Sequence, residues 1–156
     1  MIRSPQGGPR DGPIRVVLDT SVLVRYLIRP SAAIRELIEG LWLRDEIQVV
    51  TSPALIAELE AVLRRDTLHR FIRPEEGQAM LDTLRIKADM LPPLGPIPAF
   101  TRDPKDDKFV ACALAGEVTY LVTVDNDILI LESLDAVRMI TPHELVRTLQ
   151  DAERML

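Results

Sequence analysis

Residues 15–23 read RVVLDTSVL. The β-branched run Val16-Val17-Leu18 stops on an acid, Asp19, and two hydroxyls, Thr20 and Ser21. An apolar run without polar alternation is the pattern of a strand covered on both faces, as in a parallel sheet flanked by helices. In such a sheet ligands bind outside the carboxyl ends of the strands, which is where Asp19 stands. The same acid could equally serve only as the cap of the helix that follows, and this stretch alone leaves the choice open.

Moving outward, IQVVTS (47–52), TYLVTV (119–124) and VRMIT (137–141) repeat the strand pattern. Helical stretches separate them. VLVRYLI and SAAIRELIEGLWL are broken at Pro30, with Ser31 placed to cap the second, and SPALIAELEAVLRR opens with Ser52 as cap and Pro53 at the first helical position. RPEEGQAMLDTLRIKADML reads as a further helix weakened by Gly77, and PPLGPIPAFTRDP, with five of the twelve prolines, must be irregular. A helix is expected from about Pro104 to Ala115, a short one from Asn126, and a last one opening with the box-like Thr141-Pro142-His143-Glu144. Strands alternating with helices predict an α/β fold with a mainly parallel central sheet. The first 13 residues hold three Pro and three Gly without periodicity and are expected to be a flexible arm, with residues 14–156 forming a single domain.

Composition excludes several classes. With 156 residues, 47% of them apolar, and a mean hydropathy near zero, the chain can bury one good core. No apolar run approaches the roughly 18 residues of a membrane span, and the N-terminus has no apolar core of a secretory signal, so no membrane association and a cytoplasmic location are expected. One cysteine, Cys112, excludes an intrachain disulfide and a cysteine-rich zinc site, and His69 and His143 are too scattered for a zinc cluster. A net charge of −5 argues against a nonspecific polyanion binder. Carboxylates gathered on metal ions would account for most of that charge, so a phosphodiester substrate stays open.

The acids carry the functional reading. Asp19 and Asp125 each end a strand and would share one edge of the sheet if those strands are neighbours. In DPKDDKFVACAL, Asp106 precedes Phe109, Val110 and Ala113 by three, four and seven residues, which places it on the inward face, with Asp107 at its border. Asp103, Pro104 and Asp106 could instead be the cap, first and third positions of a capping-box-like helix start, with Asp106 bonded to a backbone N–H. In SPALIAELEAVL, Glu58 and Glu60 fall on opposite borders of the apolar stripe, and periodicity does not choose between them. Several carboxylates in one cleft repel unless a cation neutralises them, and an all-oxygen set selects hard ions such as Mg²⁺ or Mn²⁺.

These residues resemble a known family. VVLDTSVLV, SPALIAELEAVL, RDPKDDKFVACALAG and YLVTVDNDILIL, in this order and spacing, resemble the PIN-domain proteins, and most of all the bacterial branch of VapC-type toxin components. The resemblance runs from about Ile14 to Leu149. It implies a three-layer α/β/α fold and a metal-dependent endoribonuclease leaving 5′-phosphate and 3′-hydroxyl ends. It implies that Asp19, Glu58, Asp106 and Asp125 are the catalytic acids that hold Mg²⁺ or Mn²⁺, with Asp127 and Asp107 auxiliary. Thr20 and Ser21 match the hydroxyl-bearing turn after the first acid, where the family often has Asn in place of Ser21, and these hydroxyls can orient that acid, a metal-bound water or a phosphate oxygen. An RNA substrate, a small antitoxin partner and a homodimer are implied as well. Two departures stand out: the family's DPDDN is DPKDD here, and its glycine before the fourth acid is Val124.

Other features divide between function and packing. Arg64, Arg65, Arg70 and Arg73, interleaved with His69 and Phe71, could grip RNA phosphates or simply complement a helix C-terminus. Tyr26 and Trp42 read as core or dimer contacts, and Cys112 as a passive thiol. The alternative to a nuclease is a PIN-fold scaffold with little or no catalysis. A phosphatase using Asp19 as nucleophile is disfavoured, because LDTSV lacks the second acid two residues on that such enzymes use.

Overall fold

A computed structural model of the chain describes residues 12–155. Residues 1–11, most of the expected arm, and residue 156 lie outside the described residues. The strands are β1 (Ile14–Leu18), β2 (Ile47–Thr51), β3 (Asp89–Met90), β4 (Tyr120–Val122), β5 (Ser133–Leu134) and β6 (Val137–Ile140). The helices are α1 (Thr20–Ile28), α2 (Ala32–Arg35, continued by a π-helix, Glu36–Trp42), α3 (Pro53–Leu63), α4 (Pro74–Lys87), α5 (Asp107–Ala115), α6 (Asn126–Leu129) and α7 (Pro142–Arg154).

Among the described residues the strands form one sheet in the order β3-β2-β1-β4-β6-β5, parallel except for the β5–β6 hairpin. Alternate residues of each strand face opposite cores. Val16, Leu18, Val49, Val122 and Ile140 pack with Trp42, Leu59, Leu84 and Leu145 on one face. Val17, Val50, Leu121 and Met139 pack with Phe109, Val110, Cys112 and Ile128 on the other. Helices therefore cover both faces, and the strand sequences read as unbroken apolar runs for that reason. The fold is the expected α/β architecture with a mainly parallel central sheet.

The chain leaves β1 toward β2 on one side and returns to place β4 on the other, so the order reverses between β1 and β4. Leu18 lies opposite Val122, and the Asp19 N–H donates to the Val122 carbonyl at 3.0 Å. The ends of these two strands are thus side by side at the topological switch point, the crevice where open α/β sheets bind ligands.

Several boundaries differ from the sequence expectation. The helix expected to run through residue 91 stops at Lys87, and Asp89–Met90 pair with Val50–Thr51 as an edge strand. Pro92 and Pro93 exclude helix from the chain just ahead of them, and the edge of β2 offers those residues a ladder instead. The helix expected from about Pro104 begins at Asp107, after a separate turn in which the Asp103 carboxylate accepts the Lys105 N–H at 3.0 Å. Ser52 has the extended backbone of a cap, but its hydroxyl bonds no helix N–H. Ser31 and Thr141 do cap their helices, accepting from Ile34 and Glu144 N–H groups. Gly77 lets α4 approach α3 closely, since a Cβ there would lie 3.3 Å from Leu63 Cδ1.

Candidate metal centre

Each acid at the carboxyl edge is placed by a specific local device. Asp19 follows β1 directly and caps α1, accepting from the Ser21 N–H at 3.4 Å. Its side chain is 5% exposed, and its Oδ2 accepts hydroxyl protons from Thr123 at 2.6 Å and Ser21 at 3.0 Å. Thr123, wholly buried just past β4, also accepts the Asp125 N–H at 2.9 Å on the same oxygen. One hydroxyl therefore ties the acid after β1 to the acid after β4. Asp125 caps α6, its Oδ1 accepting the Asp127 N–H at 2.9 Å, which turns Asp127 to the same side.

Asp106 occupies the cap position of α5 but bonds no helix N–H with its side chain. One carboxylate oxygen each from Asp106, Asp125 and Asp127 lie within 4.8 Å of one another, and all three residues are half-buried. Burial first, then the charge of Asp125 and the hydrogen bond the two carboxyls make when one is protonated, push the Asp106 carboxyl up to about 7; the charges of Asp19 and Asp103 act in the same direction. Asp19 is raised as well, by burial and in smaller part by the charge of Asp125, against the lowering effect of its hydroxyl donors. The buried Oδ2 of Asp106 has no hydrogen-bond donor. A buried carboxylate oxygen without a donor, facing two more carboxylates, calls for a proton or a cation.

Glu58 and Glu60 diverge on α3. Glu60 turns toward α4 and pairs with Arg85 at 3.4 Å. Glu58 turns to the sheet edge, where its Oε2 accepts the Thr20 hydroxyl at 3.2 Å and its Oε1 receives the Lys108 ammonium at 2.8 Å. The two hydroxyls of the turn after β1 thus serve different acids, Ser21 serving Asp19 and Thr20 serving Glu58.

Asp107 is more deeply buried than a border position implies, at 6% exposed. Its Oδ1 accepts the Phe100 N–H at 3.0 Å, the Thr101 N–H at 2.7 Å and the Thr101 hydroxyl at 2.9 Å. Burial would raise this carboxyl, but the bonds from Thr101 and Phe100 outweigh it and hold the group below its ordinary range. Asp107 therefore fastens the proline-rich loop to α5, while its neighbour Asp106 faces the other acids.

Arg64, Arg65, Arg70 and Arg73 lie exposed around the corner between α3 and α4, and among the described residues none of their side chains pairs with the acids. Arg64 and Arg73 line a groove of about 380 Å³ with His69 and Ile72, beside the exposed ring of Phe71. Trp42 is core, the Tyr26 hydroxyl donates to Glu39 at 2.7 Å, and burial pushes the Cys112 thiol up to about 12. Lys108 and Thr123 were not singled out in the sequence. The DPKDDK and VTVD strings contain them, but only the folded positions of Glu58 and Asp19 give them partners.

The chain belongs to the PIN-domain family, whose sequence pattern it matches over residues 15–127. Among solved structures it is similar to VapBC2 from Rickettsia felis bound to a DNA fragment from its promoter, with a TM-score of 0.52 and 16% identity over 82% of this chain and 98% of that one. It is similar also to the PIN domain endonuclease Utp24, with a TM-score of 0.51 and 16% identity over 83% of this chain and 85% of that one. At such identities the likeness establishes the fold. No curated protein matches the chain in sequence.

Proposed function

We propose that this PIN-domain protein is a divalent-metal-dependent endoribonuclease and the toxin of a toxin–antitoxin pair. The observation that carries the reading is the meeting of Asp106, Asp125 and Asp127 at the switch point, with Asp19 tied in behind them through Thr123 and a buried Asp106 oxygen that lacks a donor. This donor set fits a hard cation: it is all oxygen, partly buried, and mutually repulsive without one. Bound Mg²⁺ or Mn²⁺ would supply Lewis acidity to a phosphoryl oxygen and make a water more acidic.

The chain's own residues do the rest. Asp106, Asp125 and Asp127 offer the ligand oxygens, and Asp19 adds charge behind them. Thr123 and Ser21 hold Asp19 in one rotamer, and Glu58 completes the acid set across Thr20. Burial of Asp19 and half-burial of the other three strengthen their field at a substrate phosphate by limiting water. The arginines at the α3–α4 corner are the candidate phosphate contacts for the RNA strand. Resemblance to VapC-type toxins, and the VapBC2 structure, support a small antitoxin as partner; a homodimer and a cytoplasmic site of action belong to the same reading.

The test is cleavage of a panel of structured RNAs by the purified protein with Mg²⁺, Mn²⁺ or chelator. Cleavage that needs the metal and disappears in Asp19→Asn is the expected result. Expression without the partner should also arrest bacterial growth, and Asp125→Asn should relieve the arrest. RNA left intact under every condition, and equal growth with both proteins at equal soluble levels, would point to a PIN-fold scaffold instead. The DPKDD string, with Lys105 and Asp107 departing from the family's DPDDN, and a net charge of −5 without a strongly basic face are what give that second reading its weight.

A further inference from the structure

The first turn of α5 sends opposite charges in two directions. Asp106 faces Asp125 and Asp127, whereas Lys108, two residues on, places its ammonium 2.8 Å from Glu58 Oε1. Between them Asp107 is pinned to the loop by three hydrogen bonds, which place the backbone from which both side chains project. The Lys108 side chain also borders a slot of about 220 Å³ lined by Pro53, Ala54, Pro93, Leu94 and Ile97, and is 26% exposed. Glu58 consequently has both oxygens engaged, one by a full positive charge and one by the Thr20 hydroxyl. Asp106, Asp125 and Asp127 make no ion pair among the described residues.

We propose that Lys108 takes the place of a second divalent cation at Glu58, so that the centre holds one metal ion on the Asp106–Asp125–Asp127 side and an ammonium on the other. The inference rests on the metal-dependent reading above and sharpens it for Glu58. A second divalent ion at Glu58 would have to displace an ammonium already in contact or sit against its charge, and both are unfavourable in a half-buried cleft. The ammonium has three N–H donors and spends one on Glu58, which leaves two for an anionic oxygen of the substrate. Lys108 thereby sets the number of ions.

Counting bound Mn²⁺ by electron paramagnetic resonance titration and calorimetry tests it, on the full chain without RNA. The wild type should bind one Mn²⁺ per chain. Lys108→Met and Lys108→Gln, two neutral variants so that a folding failure in one is not decisive, should each bind two, and adding Glu58→Gln to either should restore one. Lys108→Arg, which keeps the charge, should stay at one. A wild type that binds two ions, or neutral variants that still bind one, overturns the proposal. A wild type that binds none overturns the metal reading itself, and the proposal with it, by a result unlike either of those.

Discussion

Thr123 joins the two halves of the centre. Its hydroxyl donates to Asp19 at 2.6 Å and accepts from the Asp125 N–H at 2.9 Å, with no exposure to solvent. Thr123→Val keeps the shape and removes both bonds, leaving a buried carboxylate one donor short. The expected cost is about 1–3 kcal/mol of stability; on the proposed metal reading, Mn²⁺ affinity falls about 10–100-fold as well, because the acid behind the ligands loses a donor that holds it in place. Urea unfolding and Mn²⁺ titration of the variant check both numbers; unchanged values in both would show that the hydroxyl contributes nothing. The role is invisible in the string VTVD, since it depends on Leu18 lying opposite Val122, which is a fact of strand order rather than of local pattern.

At the scale of elements, local signals were legible wherever local physics decides. The β-branched runs became strands, Pro30 with Ser31 divided the first helices, and Thr141 with Glu144 opened α7. The departures come where tertiary contacts compete. The helix from about Pro104 lost its first turn because Asp107 turned inward to fasten the loop, which also moved it from the border to a buried position. The strand β3 was hidden in a helical-looking string and exists because β2 has an open edge beside it. Periodicity left Glu58 and Glu60 equivalent, and only their partners, Lys108 and Arg85, separate them. Fold and centre also separate by mutation. Ser31→Ala removes the α2 cap, beyond the end of α1 opposite to Asp19, and should cost about 0.5–2 kcal/mol in thermal or urea unfolding with RNA cleavage unchanged under conditions where the variant is folded. A matching loss of cleavage would mean that α2 and the acid edge are coupled in a way the fold does not show.

Without metal, the folded protein buries carboxyls that also repel one another, and pH exposes the cost. The folded Asp106 carboxyl stands at about 7 against an ordinary 3.8, and Asp19 is raised in the same direction. Between pH 3.8 and 7 the folded state therefore binds more protons than the unfolded chain, so stability is highest below that window and falls as pH rises through it. Asp107, held low, works in the opposite sense and loses its contribution only as pH falls below the ordinary carboxylate range. In chelator, the melting temperature of the wild type should decline from about pH 4 to 7, and Asp106→Asn should flatten that decline. Added Mn²⁺ should raise the melting temperature by an amount that grows with pH over the same window, because the ion competes with the proton. A chelated wild type that gains stability from pH 5 to 7, with no effect of Asp106→Asn, would mean that the acids are not buried and crowded as placed.

In the proposed metal-dependent cleavage of RNA by the acids gathered where the sheet reverses its order, Asp106 rather than its neighbour belongs to the centre. Cleavage of one RNA substrate at saturating Mn²⁺ by the wild type, Asp106→Asn and Asp107→Asn tests it most directly. Asp106→Asn should lower turnover by at least about 100-fold, the order expected when a metal-binding charge is removed from a phosphoryl-transfer site. Asp107→Asn keeps the Oδ1 acceptor for Phe100 and Thr101 and should cost less than about 10-fold, since only one donor-bonded charge is lost. An active Asp106→Asn beside an inactive Asp107→Asn would contradict the account.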